Sequence, residues 1–439
     1  MNGTPKLENV STKLQRIAEL ARQMPDRALT SLAYRIDMEW LKEAYRRTRK
    51  DGAVGVDGVA AEQYAANLEA NLQSLLTRVK TASYRAPAVR RVHIPKDGGT
   101  RPIGIPTFED KVLQRAYAMV LEAVYEPEFL DCSYGFRPGR NQHQALEAFW
   151  KQMMSMGGGW VLELDISDFF GSLDHGQLRQ IIERRVRDGS VLRHIGKWLK
   201  AGVLEEGELR HPQMGTPQGG VISPMLANIY LHEVLDVWFE REVKPRLKGR
   251  AFLVRYADDA VLGFALAEDA QRVMEVLPQR MAKHGLKLHP HKTRLVRFVP
   301  RRRDGDDDPG TFDFLGLTHY WGTSRKGGAL IKRKTAGKRL RRALTRIHQW
   351  CRNHRHDRLK EQHQALVRKV RGHYGYYGIT GNIRALRAYL SAVERIWQYW
   401  LSRRSQRAKI KWERFQQLLR VYPLPPPVVV HSINRVAKP

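Results

Sequence analysis

Two adjacent carboxylates, Asp258 and Asp259, interrupt an apolar stretch, Phe252-Leu253-Val254-Arg255-Tyr256-Ala257-Asp258-Asp259-Ala260-Val261-Leu262-Gly263-Phe264. Desolvating such charges inside a strand is costly. The pattern therefore predicts a β-hairpin over 252–264 whose tip, at 257–259, projects both aspartates together. Like charges that close repel, and one takes up a proton unless a cation neutralises the pair. Magnesium, a hard ion that prefers carboxylate oxygens and bound phosphates, suits them. An Asp-rich turn facing water is the ordinary alternative.

A second segment has the same character: Val161-Leu162-Glu163-Leu164-Asp165-Ile166-Ser167-Asp168-Phe169-Phe170. Asp165 falls at the end of an apolar strand, where a neighbouring hairpin would present Asp258 and Asp259. Three carboxylates so gathered can hold two ions about 3.5–4 Å apart, the arrangement for in-line phosphoryl transfer. Such a displacement needs positioning and charge stabilisation more than covalent chemistry. A strand-to-helix loop capped by aspartate is the alternative here. Asp168 reads that way, as a helix cap or the partner of a basic group.

The elements that must position these groups are mixed. Residues 1–50 and 61–80 have helical spacing, with a glycine-punctuated loop between them. Prolines at 87, 95, 102 and 106 forbid a long helix there. Two short strands around Asp97-Gly98-Gly99 are expected instead. Residues 108–127, 141–156, 175–187, 224–243 and 269–284 read as helices. The charged stretch 301–310 reads as a surface excursion, and 335–421 as wholly helical. The fold class is α+β followed by an all-α region.

Charge narrows the partner. The 439 residues carry 76 Lys and Arg against 45 Asp and Glu, a net +31. A chain that basic repels itself unless a polyanion neutralises it, which points to nucleic acid and salt-dependent binding. The two cysteines, Cys132 and Cys351, have no neighbours at metal-binding spacing, so no zinc is expected. Isolated cysteines suit a reducing compartment. No apolar run nears the ~20 residues that span a bilayer. A bacterial cytoplasmic location is expected.

Taken together, the segments resemble the palm motifs of reverse transcriptases, and the likeness runs from about residue 43 to 420. Tyr256-Ala257-Asp258-Asp259 is similar to the family's catalytic box, and Asp165 matches its first catalytic aspartate. The resemblance implies catalytic Asp165, Asp258 and Asp259, and a site for two Mg²⁺ ions formed by Asp165, Ile166, Asp258 and Asp259. Phe170 falls at the family's steric gate, where an aromatic ring clashes with a 2′-hydroxyl. Pro217-Gln218-Gly219-Gly220-Val221-Ile222-Ser223-Pro224 resembles the glutamine-glycine box, with Gln218 near the incoming dNTP. Lys96 and Arg101 resemble triphosphate-gripping residues of the fingers, and Lys292 one that assists the leaving group. Ser133-Tyr134-Gly135-Phe136-Arg137-Pro138-Gly139-Arg140 resembles the next motif, with Arg137 as a template contact. Residues 312–317 resemble the primer-grip region.

Two segments resemble one branch, the proteins encoded by group II introns. Residues 50–59 look like their N-terminal extension. Residues 331–350, read as a basic helical stripe without acids, include Lys338, Arg339, Arg341 and Arg342 as RNA-binding candidates. Residues 371–378 and 392–400 look like the thumb, or maturase, domain. Interleaved aromatics there could stack on RNA, although most are expected in the core. No paired cysteines of an HNH endonuclease are present, so the chain resembles the endonuclease-lacking branch.

The expected fold is a right-hand polymerase. An N-terminal helical extension (1–60) leads into fingers and palm (61–330), with an antiparallel palm sheet. An α-helical thumb or maturase domain (331–422) and a tail (423–439) follow. The resemblance implies an RNA-directed DNA polymerase that copies intron RNA during retrohoming and binds it to assist splicing. Its partners would be group II intron RNA, an RNA template with DNA primer or target, and dNTPs. The alternatives are a domesticated relative serving phage defence or repair, and a splicing factor with a dormant site.

Overall fold

The apolar runs beside the aspartates fold as strands. Gly159–Leu164 ends one residue before Asp165, and Ala251–Tyr256 and Asp259–Phe264 make the expected hairpin. They belong to a four-stranded sheet ordered Arg294–Phe298, Gly159–Leu164, Asp259–Phe264, Ala251–Tyr256. This computed structural model describes residues 9–96, 99–205, 208–210, 215, 219–301, 310–324, 326–405 and 409–432.

By internal contacts the chain divides into two compact units. One comprises Met1–Asn141, Leu164–Leu262 and Glu268–Arg294; the other comprises Gln142–Glu163, Gly263–Ala267 and Leu295–Pro439.

In the first unit, helices Val10–Gln23 and Met38–Arg47 pack on Phe108–Tyr125, a helix buried along most of its length. Trp40 is fully buried, and its indole N–H donates to the Ala116 carbonyl at 3.0 Å. A second sheet runs in the order Gly99–Ile105, Val89–Lys96, Val203–Glu205, Glu208–Arg210. Its hairpin pairs Arg90 with Ile105 and Lys96 with Gly99, placing strands where the prolines exclude helix. The glycine loop docks at its base. Arg90 donates twice to the Val54 carbonyl, at 3.0 and 2.8 Å. A Cβ on Gly55 would lie 2.6 Å from the Thr107 backbone, so only glycine fits there.

In the second unit a three-stranded antiparallel sheet, Phe312–Phe314, Leu317–Thr323 and Ala329–Thr335, precedes helices Gly337–Asn353, Leu359–Tyr377, Ile383–Leu401 and Trp412–Val421. Leu366, Val370, Leu386, Val393, Trp397 and Phe415 form the helical core.

Several elements differ from the sequence reading. The basic stretch 331–350 is not one helix. Residues 331–335 are strand, with Ile331, Arg333 and Thr335 facing inward. A buried arginine hid the period-two pattern from a hydropathy reading. The helix expected over 224–243 is α-helical only over Ser223–Leu231 and continues as a π-helix over His232–Val243. The helix expected over 175–187 stops at Glu183, and Gly189–Leu199, not foreseen, forms another. Among the described residues no helix is long and apolar enough to cross a membrane.

Candidate active site

Asp165 follows directly on the strand Gly159–Leu164, and Asp259 opens its neighbour Asp259–Phe264. A Cβ on Gly159 would lie 2.1 Å from the Phe264 carbonyl oxygen, so the start of one strand meets the end of the other. The strands therefore run in opposite directions, and Asp165 and Asp259 fall at the same end of the sheet. Asp258 is half-buried and Asp259 exposed. Among the described residues, no three His, Cys, Asp or Glu side chains gather closely enough to hold a metal ion as they stand. The donor set is all hard oxygen, which fits a hard divalent cation in kind.

Asp165 is held from two sides. Its backbone carbonyl accepts from the His289 N–H at 2.8 Å and from the Thr293 hydroxyl at 3.3 Å. Its carboxylate Oδ2 stands 3.4 Å from the Lys292 ammonium. The short pairing of Ile166 with Leu288 and Ser167 with Lys287 fixes this junction. Ile166 buries its side chain, so only its carbonyl is a donor of the kind a metal accepts.

The hairpin tip rests on a residue that the sequence reading passed over. Arg255 is fully buried in the strand preceding the aspartates. Its Nε and one terminal nitrogen donate to the Asp236 carboxylate at 2.7 and 2.5 Å. It also donates to Asn228 Oδ1 at 3.0 Å, Ser133 Oγ at 2.8 Å and the Ala257 carbonyl at 3.0 Å. Ala257 has φ +58°, the left-handed turn that swings Asp258 out. An isolated buried charge would be costly, and here the partners surround it. The signal was available: an arginine inside Phe252-Leu253-Val254-Arg255 has no reason to be there unless a buried acid answers it.

Of the two adjacent phenylalanines, Phe169 is core at 2% exposed, and Phe170 stands half-buried. The backbone of Phe170 is crowded by residue 215: a Cβ on Gly215 would lie 2.8 Å from the Phe170 carbonyl oxygen. Asp168 takes the cap position of the short helix Phe169–Ser172, yet its side chain makes no capping hydrogen bond. The carboxylate lies against Gly171 instead.

Lys96 ends a strand of the Val89–Lys96 hairpin, and Arg101 lies on the facing strand, paired with Ile94. Gln218 lies outside the described residues. Its neighbour Gly219 has φ +119°, and a Cβ there would meet the Gly104 carbonyl oxygen at 2.6 Å, so this loop abuts the hairpin sheet.

Arg137 does not reach outward as expected. It is 6% exposed, with donors spent on Glu126 at 2.8 Å and on the Leu130 and Ser133 carbonyls at 2.7 and 2.9 Å. In the second unit, Lys338, Arg339 and Arg341 are exposed on the helix Gly337–Asn353, and Arg342 is half-buried. Arg333, by contrast, is buried on its strand, and that burial pushes its guanidinium down to about 10.

A sheet that offers aspartates at one end, beside a two-stranded hairpin and its helices, is the palm of a nucleotidyl-transfer enzyme. The model of the reverse transcriptase (RNA-dependent DNA polymerase) family matches residues 94–319, more than half the chain, and the chain belongs to that family. Reverse transcriptases use divalent metal ions.

Among its relatives, the protein YkfC of Escherichia coli K12 is 33% identical over 348 residues, covering 68% of this chain and 87% of YkfC. The group II intron-encoded protein LtrA of Lactococcus lactis is 35% identical over 243 residues, covering 53% of this chain and 40% of LtrA. Nuclear intron maturase 2 of Arabidopsis thaliana is 28% identical over 179 residues, 31% of this chain and 24% of the relative. The match therefore spans less than half of LtrA's length.

Proposed function

We propose that this chain is the RNA-directed DNA polymerase of a group II intron, copying intron RNA into DNA during retrohoming and binding that RNA to assist splicing. The observation that carries the reading is the placement of Asp165 and Asp259 at one end of a single sheet, with Asp258 beside them on a turn pinned by Arg255. The likeness to LtrA and to an intron maturase supports the intron as the RNA source.

In this reading the primer 3′-oxygen bonds to the α-phosphorus of a dNTP, the α–β bridging bond breaks, and pyrophosphate leaves. Asp165, Asp258 and Asp259, with the Ile166 carbonyl, would hold two Mg²⁺ ions. These would supply charge neutralisation and a more acidic 3′-hydroxyl when bound. Lys292, already paired with Asp165, would shift toward the triphosphate and the departing charge. Lys96 and Arg101 grip the phosphates, Gln218 borders the nucleotide, and Phe170 excludes the 2′-hydroxyl. Lys338, Arg339, Arg341 and Arg342 hold the RNA backbone. The two free cysteines fit the reducing bacterial cytoplasm.

The test is Mg²⁺-dependent primer extension on an RNA template, wild type beside Asp258→Asn, with splicing of the RNA flanking the gene measured in parallel. Extension by the wild type alone, with RNA binding kept in the variant, is expected. Splicing activity without extension in either protein would sink the polymerase half of the reading.

A further inference from the structure

Phe136 combines three properties that conflict in a merely structural residue. Its φ is +57°, the left-handed region that bulky side chains enter only when the surrounding fold dictates it. Its side chain is among the large apolar ones left exposed, at 53%. And its nearest aromatic neighbour is Tyr256, at 6.5 Å between ring centres and tilted by 39°, on the strand that leads into Asp258.

The residues on either side explain how the conformation is imposed. Gly135 lies against the catalytic turn, where a Cβ would stand 2.2 Å from the Ala257 nitrogen. Its carbonyl accepts from the Asn228 amide at 2.6 Å. Arg137 is drawn inward to Glu126 and two backbone carbonyls, over the Phe129 ring. With both neighbours anchored inside the unit, the chain turns Phe136 outward. Burial offsets only part of the strained backbone, since half the side chain is in water. Glycine would hold this backbone at less cost. What phenylalanine adds is an open aromatic face beside the hairpin tip, on a chain whose +31 charge draws a polyanion.

We propose that the Phe136 ring is a stacking platform for an unpaired nucleobase of the nucleic acid bound at the Asp258–Asp259 turn. The proposal rests on the polymerase reading above. Stacking uses the π-face common to all bases, so the contact grips a strand without reading its sequence. It also gives the 133–140 segment an outward-facing contact residue in place of the inward-drawn Arg137.

The experiment compares Phe136→Gly, Phe136→Leu and Phe136→Trp with the wild type. Template–primer affinity is read by fluorescence anisotropy, primer extension at steady state, and stability by thermal unfolding. Phe136→Gly is expected to unfold at the same or a higher temperature while binding template–primer about five- to hundredfold more weakly. Phe136→Trp is expected to keep the affinity and Phe136→Leu to lose most of it. An abasic residue then locates the base. Placed where the ring stacks, in the template or at the primer terminus, it makes wild type and Phe136→Gly bind alike. Unchanged affinity in Phe136→Gly, with the wild type extending primers normally, would overturn the stacking proposal and leave the polymerase reading standing. So would a lowered unfolding temperature that Phe136→Trp fails to restore, or abasic residues that equalise the two proteins on neither strand. A wild type that extends no primer would remove the polymerase reading itself.

Discussion

Arg255 donates to the carbonyl oxygen of Ala257 at 3.0 Å, across the turn that presents Asp258, while Asp236 neutralises it from behind. One fully buried cation thus ties the π-helical segment, the strand and the turn that carries Asp258 together. Arg255→Met should leave Asp236 as an unanswered buried charge and cost roughly 3–5 kcal/mol of stability. The double variant Arg255→Met/Asp236→Leu removes both charges and should recover most of that loss. It cannot restore the hydrogen bond to Ala257, so primer extension should stay low. Thermal unfolding and extension assays on the same three proteins separate the two effects. Recovery of both together would reduce Arg255 to a packing residue.

Phe170 stands half-buried where Phe169 is core, and we propose that its ring is the one that meets the nucleotide sugar. Phe170→Val should make room for a 2′-hydroxyl and lower discrimination against ribonucleotides by about tenfold or more. The check is the ratio of kcat/KM for a dNTP and its matching rNTP. An unchanged ratio would take the gate away from this residue.

Asp110 carries a pH dependence that can be isolated. It is buried, accepts from the Trp198 indole at 2.8 Å and the Gln114 amide at 3.0 Å, and also from the Tyr84 hydroxyl. Burial pushes its carboxyl up from 3.8 to about 6, against the pull of those donors. The folded protein then holds this proton more tightly than the unfolded chain. The resulting stabilisation is full below pH 3.8 and is lost as pH rises through about 6. The difference corresponds to about 3 kcal/mol. The unfolding temperature of the wild type minus that of Asp110→Asn should therefore fall between pH 4 and 6 and level off above 7. A flat difference over that range would mean that Asp110 is ionised throughout.

The legibility of this chain follows from what kind of pattern each part uses. The aspartates could be read because carboxylates inside apolar runs have few structural uses, and the hairpin could be read because a proline-rich segment excludes helix. The Arg255 network was hidden because its members, Ser133, Asn228, Asp236 and Arg255, are far apart in sequence and meet only on folding. Arg137 was expected to contact the template because its segment resembles a family motif, yet Glu126, eleven residues earlier, draws it inside. The strand over 329–335 was masked because its inward positions include Arg333, which hydropathy assigns to the surface.

The helix Gly337–Asn353 has no acidic residue in its sequence, and Lys338, Arg339 and Arg341 are exposed along it. Neutralising these three together with Arg342 should weaken RNA binding and flatten its salt dependence. Each phosphate contact contributes roughly 0.7–0.9 to the slope of log K against log salt, so four contacts change it by about 3 to 4. Filter binding across a salt series measures the slope directly. Extension on a short preformed template–primer at low salt should fall less than binding to long RNA. An unchanged slope would place the RNA footprint on other basic residues.

Two glycines of the 133–140 segment make opposite predictions from the same substitution. Gly139 has φ +71° with nothing within 4 Å of where a Cβ would be, so Gly139→Ala meets backbone strain alone. That strain is about 1–2 kcal/mol, and primer extension should survive it. At Gly135 a Cβ would lie 2.2 Å from the Ala257 nitrogen and 2.9 Å from the Tyr256 carbonyl carbon. These are backbone atoms of the turn that carries Asp258, and they cannot yield without moving it. A displacement near 1 Å at reacting groups costs about a hundredfold in rate. Gly135→Ala should therefore lose about that much kcat. If Gly135→Ala extends primers as well as Gly139→Ala does, the close approach of the two segments does not set the position of the turn that carries Asp258.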